Sequence, residues 1–156
     1  MKGKLFIACI ALLLMSCGDS ASTKSTGADK PAAGTDKANP DYDPNRGEGK
    51  FSKVEIATTI DAEKVAGGQK VYSVKCGACH KLTGEKLVGP GWLGVTSRHT
   101  AEWIMNFATN PDPMITKDPK AQAMLEICLV RMPNQNVSDD DARNVYEFMR
   151  KNDAAK

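Results

Sequence analysis

Little in this chain of 156 residues is in surplus. Acidic and basic side chains nearly cancel, leaving a formal net charge of +2 and no electrostatic footprint for nucleic acid. Aromatic residues make up only 6%, and no internal repeat is visible. The apolar run at residues 5–15 is shorter than the roughly 20 residues a membrane-spanning helix takes. The five cysteines do not pair off. Cys9 and Cys17 lie near the N-terminus, Cys76 and Cys79 stand three apart, and Cys128 is alone far downstream. A disulfide scaffold is therefore not expected, and the pattern suits an exported protein whose cysteines serve attachment chemistry. The length fits one domain of ordinary size plus appendages.

What the chain does have is Cys76-Gly77-Ala78-Cys79-His80, a C-x-x-C-H haem-attachment signal. Two thiols at this spacing add across the two vinyl groups of one haem, and the histidine that follows is carried under the iron as its proximal ligand. A redox dithiol pair needs no histidine there, and the βαβ pattern around such motifs is missing. A zinc site needs four ligands, and beyond the motif only Cys128 and His99 remain in the soluble part.

At the N-terminus, Lys2 and Lys4 precede the apolar run, as in a secretory signal. Its end, Leu14-Met15-Ser16-Cys17, resembles the lipobox of bacterial lipoproteins, which implies removal of residues 1–16 and acylation of Cys17. Two or more acyl chains hold a protein on a membrane where one would not. Residues 17–50 then form a linker rich in Ser, Thr, Ala, Gly, Asp, Lys and Pro, which is expected to be disordered. Its reach as a tether is on the order of 30 Å. The folded part is expected over residues 51–156, opening with a short extended arm at 51–60 that carries Val54 and Ile56.

About four helices are predicted, in an all-α domain. Asp61 caps the first, over residues 61–75, with Val65, Gly68, Tyr72 and Cys76 at spacings of three and four. Thr100 caps the second, over 101–109, which Pro111 and Pro113 end. Asp118 and Pro119 start the third, which runs to about Val130 before Met132-Pro133. Ser138 opens the last, with Asp139, Asp140 and Asp141 in its first turn and Val145 and Phe148 on its apolar face. Between the first two, the glycine-rich segment 81–92 holds a Gly89-Pro90 turn suited to giving a carbonyl to the second nitrogen of His80.

Seven methionines offer thioethers for the other face of the iron. Met105, Met124 and Met149 sit at helical spacings and read as core filler. Met114 and Met132 lie in proline-flanked segments, and Met132, followed by the polar run Pro133-Asn134-Gln135-Asn136, is preferred. His99, beside Arg98, reads as a surface or propionate-side residue, and Cys128, on an apolar stripe, as a small buried hydrophobe.

Together these features resemble the class I c-type cytochromes, over roughly residues 61–152. In that family a glycine eight residues and an aromatic four residues before the first haem cysteine pack the N-terminal helix on the C-terminal one; here they are Gly68 and Tyr72, facing Val145 and Phe148. The resemblance assigns Cys76 and Cys79 to one covalent haem c, Pro90 to the carbonyl that orients His80, and Met132-Pro133 to the axial methionine. The lipobox and tether are similar to membrane-anchored cytochromes of Gram-negative bacteria. Segments 89–110 and 131–135 resemble those associated with nitrous oxide respiration.

The expectation is a monomeric one-electron carrier, lipid-anchored and facing the periplasm, that works between redox partner proteins with no small-molecule substrate. Lys64, Lys70, Lys75, Lys81 and Lys86, grouped around the attachment site, suggest acidic partners. The alternative is a haem enzyme or gas sensor with an open or displaceable sixth site. It lacks an evident distal acid–base pair, since His99 stands alone.

Overall fold

The Asp61 carboxylate opens the first helix by accepting the amide hydrogens of Glu63 and Lys64 at 3.0 and 3.1 Å. In this computed structural model, which describes residues 42–155, six α-helices follow one another and no β-strand occurs among the described residues. They are α1 (Ala62–Val71), α2 (Val95–Arg98), α3 (Ala101–Thr109), α4 (Pro111–Lys117), α5 (Pro119–Cys128) and α6 (Asp139–Ala154). The signal segment 1–16, Cys17 and the linker as far as residue 41 lie outside the described residues.

The helix expected over 61–75 keeps its axis but not its register. After Val71 it continues as a π-turn, Tyr72–Cys76, closed by the amide of Gly77 on the carbonyl of Tyr72 (2.8 Å). α3 starts on Thr100, whose hydroxyl accepts from the Trp103 amide (3.2 Å), and buries Trp103 and Ile104 while Phe107 is only partly covered. The structure corrects the sequence reading at the next step. Pro111 does not only end α3; it is the first residue of α4, where a missing N–H costs no helical bond. With the single turn of α2, this brings the count to six rather than four.

α5 begins where predicted, capped by Asp118, but ends before Val130 because Leu129 turns left-handed (φ 60°). Met132 and Pro133 thus lie in a loop beyond the helix end. α6 starts on the Ser138 hydroxyl, which accepts from Asp141 (3.1 Å), with three acids at the positive end of the helix dipole.

α1 crosses α6 at Gly68. A β-carbon there would run into the backbone carbonyl of Asn144 and lie 2.8 Å from Cβ of Phe148, so only glycine permits this approach. Val145 and Phe148 are buried beneath it, although the direct backbone partner is Asn144. Glu147 on the same helix is buried against Arg150 (2.9 Å). Arg150 also donates to the carbonyls of Ala57 and Thr58 (2.9 and 3.3 Å) and holds the arm whose Phe51, Val54 and Ile56 pack on the core.

Residues 42–50, placed in the linker by composition, are docked on the helices. Buried Asp118 accepts from the Tyr42 hydroxyl, from the Trp103 indole (2.8 Å) and from the Ala121 amide (2.8 Å). The Lys120 ammonium donates to the carbonyl of Pro44 (2.8 Å), and the Glu48 amide donates to the sulfur of Met114 (3.0 Å). Asn106, fully buried, donates to Arg46 and Phe51 carbonyls (both 2.9 Å) and accepts from the Phe51 amide (2.9 Å). This strap is held by polar contacts to particular side chains, which composition does not register. Asp118→Ala strands the indole N–H and two further donors, and is expected to cost about 3 kcal/mol. A drop in the denaturant midpoint, together with faster proteolysis in residues 42–50, checks it.

Candidate functional site

The π-turn ends on Cys76, whose carbonyl accepts from the amides of Cys79 (3.0 Å) and His80 (2.9 Å). This tight coil sets both thiols and the imidazole on the wall of one cavity of about 360 Å³. Pro90 O lies 2.9 Å from His80 Nδ1, which donates to it and leaves Nε2 as the free lone pair. Gly89 makes room for that bond, because a β-carbon there would sit 2.8 Å from Nδ1. The Gly89 amide donates back to the Cys79 carbonyl (2.9 Å), and the Tyr72 hydroxyl donates to the His80 carbonyl (2.7 Å). Burial pulls the His80 pKa below the usual imidazole range, against the bond to Pro90, and so favours the neutral ring.

Met132, in the loop after α5, lines this cavity together with His80, and it also lines an adjoining cavity of about 70 Å³ with Cys79, His80 and Pro133. Lys75 ties that loop to the cysteine wall by donating to the carbonyls of Gln135 and Asn136, each at 3.0 Å. Nothing local to Lys75 announces this clamp, whose partners lie 60 and 61 residues away. Met114, the alternative thioether, is fully buried away from both cavities, with its sulfur taken by the Glu48 amide. Met124 and Met149, read as core filler, do reach the larger cavity. Cys128 is half-buried on the wall of the smaller one, not enclosed in the core as expected.

The remaining walls are apolar, with Trp92, Val95, Trp103, Ile104, Phe107 and Val145 facing the larger cavity. Tyr72 links the site to the helix crossing, its ring 4.9 Å from Trp92 and 5.5 Å from Phe148. Burial, with a smaller contribution from Cys79, pushes the Cys76 thiol up to about 11, against the pull of Lys75. An exchange-active dithiol has a lowered thiol pKa, so this one is not poised for disulfide chemistry. No group of three or more His, Cys, Asp or Glu side chains placed to hold a metal ion occurs among the described residues.

The family model for cytochrome c matches residues 65–153, from α1 to the end of α6. The chain belongs to the cytochrome c family. This cytochrome is similar in structure to a cytochrome c from Rhodothermus marinus, at 29% identity and a TM-score of 0.67, covering 69% of this chain and 92% of that one. An engineered form of that protein bound to a carbene intermediate is similar at 28% identity and a TM-score of 0.62, covering 68% of this chain and 91% of that one. The cytochrome c domain of a Pseudomonas putida protein is similar at 26% identity and a TM-score of 0.50, covering 56% of this chain and 88% of that one. No curated protein sequence matches the cytochrome.

The fold is thus that of a cytochrome c, and the cofactor is haem c bonded through Cys76 and Cys79. The site fits the group: two thiols and a preoriented imidazole on one wall of an apolar cavity. When bound, haem supplies an iron that changes oxidation state by one electron. The protein orients His80 through the Pro90 carbonyl and lines the space around it with mostly apolar side chains.

Proposed function

We propose that this cytochrome is a periplasm-facing one-electron carrier with His80 and Met132 as axial ligands, anchored through lipid on Cys17. The observation that carries the ligand choice is that Met132 lines the same cavity as His80, in a loop fixed by Lys75. A thioether ligand stabilises the ferrous state and raises the potential, as a carrier between respiratory components needs. Lipidation rests on the Leu14-Met15-Ser16-Cys17 sequence, and mass spectrometry of the N-terminal peptide tests it. A reductase or oxidase of the kind found in nitrous oxide respiration is the proposed acceptor class, on sequence resemblance alone.

A redox-poised optical spectrum of the matured protein tests ligation. The oxidised wild type is expected to show the weak far-red band of sulfur-ligated ferric haem. Met132→Ala loses that band, binds carbon monoxide rapidly when reduced and falls in potential, whereas Met124→Ala and Met149→Ala keep it. Rapid carbon monoxide binding by the reduced wild type would favour an open-site enzyme or sensor instead.

Of the five lysines near the attachment motif, Lys64 and Lys81 pair with Asp61 and Glu85, and Lys75 and Lys86 are bonded to backbone carbonyls. They still present positive charge to an acidic partner. The electron-transfer rate with such a partner is expected to fall about threefold between roughly 50 and 200 mM salt, measured by stopped flow. A rate independent of salt would rule out steering by this face.

A further inference from the structure

Between the end of α5 and the cap of α6, residues 130–137 carry Met132 without a backbone–backbone hydrogen bond among the described residues. No helix or sheet ladder fixes this span, so its course depends on side chains. Two cations hold it. Arg131 donates to the Asp112 carboxylate (3.0 Å) in the first turn of α4. Lys75 donates to the carbonyls of Gln135 and Asn136, each at 3.0 Å. Met132 lies in the chain between these two points of attachment.

The two attachments are not equal. The side chains of Arg131 and Asp112 are 48% and 63% exposed, and water competes for such a pair. Lys75 meets two successive carbonyls with one ammonium. In an extended segment those carbonyls would point to opposite sides; here Asn136, the residue between them, turns left-handed (φ 50°). Asparagine takes that conformation more readily than most residues, and the Asn136 amide donates to Asn134 Oδ1 (2.8 Å) across the turn. The other end of the clamp is equally well fixed. Lys75 directly precedes Cys76 in the π-turn that the Gly77 amide closes on Tyr72 (2.8 Å). With haem bonded to Cys76, the lysine stands one residue from a covalent link to the cofactor, and it registers the Met132 loop to the haem itself.

We propose that Lys75 is the positioning residue that keeps the sixth position of the iron closed, and so decides whether this haem protein carries electrons or takes up a small ligand. This rests on the His80 and Met132 reading above. Lys75 acts through Met132: for another molecule to reach the iron, the loop must move off the cavity, and that movement breaks both lysine hydrogen bonds. The loop has no backbone bond to fall back on, and the exposed Arg131 pair resists less. Without the lysine donor, local opening of this span becomes more frequent while the rest of the domain stays folded.

The test is the rate of carbon monoxide binding by the reduced, haem-loaded protein, read together with the far-red band of the oxidised form and the midpoint potential. Lys75→Met keeps an unbranched stem without donors, and is expected to bind carbon monoxide about tenfold faster than the wild type. Its far-red band should weaken and its potential fall, as weaker thioether ligation stabilises the ferrous state less. Lys75→Arg, which can still donate to carbonyls, should restore most of the band and the slow rate. Arg131→Ala should raise the rate by less than about threefold. Lys53→Met removes an equal charge from a side chain 81% exposed and should change none of the three. A wild-type rate and band in Lys75→Met, whether or not its denaturant midpoint falls, would overturn the proposal. An effect of Arg131→Ala or Lys53→Met as large as that of Lys75→Met would overturn it too. If Lys75→Met does not mature, Lys75→Gln, one atom shorter, gives the same comparison. Rapid binding by the wild type would sink the His80 and Met132 reading together with this inference, whereas a slow wild type and an equally slow Lys75→Met would sink this inference alone.

Discussion

Exchanging Cys76 and Cys79 together for serine yields a colourless and largely unfolded chain. Both thioether bonds are lost, and the one histidine left on the attachment wall does not retain haem through denaturing electrophoresis. The structural cost is as large as the chemical one. Left empty and closed to water, a cavity of about 360 Å³ would cost up to about 9 kcal/mol at ~24 cal/mol per Å³, an upper limit for a space open to solvent on one side. That is comparable to the whole stability of a domain this size, on the order of 5–15 kcal/mol. The apolar walls from α3 and α6 therefore have nothing to close on. Haem staining of a gel and far-UV circular dichroism read the two losses separately. A stained band, or an undiminished helical spectrum in the double variant, would contradict the account.

The second large effect is at the helix crossing. Gly68→Ala is expected to lower stability by about 3 kcal/mol, and Gly68→Val to prevent folding, because the added carbon meets the backbone of Asn144 and backbone cannot rotate away. Gly67 gives the contrast. Its nearest neighbour is the side-chain nitrogen of Asn144 at 2.9 Å, which can turn aside. Gly67→Ala should then be neutral or stabilising, by up to about 1 kcal/mol from helix propensity. Chemical denaturation of the two alanine variants compares them directly. The Gly68 change should also disturb the haem spectrum, since Tyr72 stands between Phe148 and the His80 carbonyl.

Signals that act within four residues were legible in the sequence. The caps at Asp61, Thr100, Asp118 and Ser138 each satisfy nearby amides, and all four open helices where expected. The attachment motif is local in the same sense, and the Gly89-Pro90 turn reaches back only ten residues to His80. Features decided by distant partners were not legible. The docking of 42–50 depends on Asp118 and Asn106, 76 and 55 residues away from Tyr42 and Phe51. Pro111 reads equally as a stop or a start until the chain beyond it is known to coil. Leu129 adopts a backbone conformation that leucine rarely takes, so nothing in its identity announces the end of α5. The clamp from Lys75 to the Met132 loop spans about sixty residues and ends on carbonyls, which every residue owns.

The strap also decides where force enters the molecule. A pull applied upstream of residue 42 is delivered through Tyr42 and Pro44 to Asp118 and Lys120, and through Asn45 to Thr100. The load thus passes into the starts of α3 and α5 before any of it reaches the coil that bears the thiols. From Asp118 the same load meets the Trp103 indole, one wall of the larger cavity, ahead of the His80 ring.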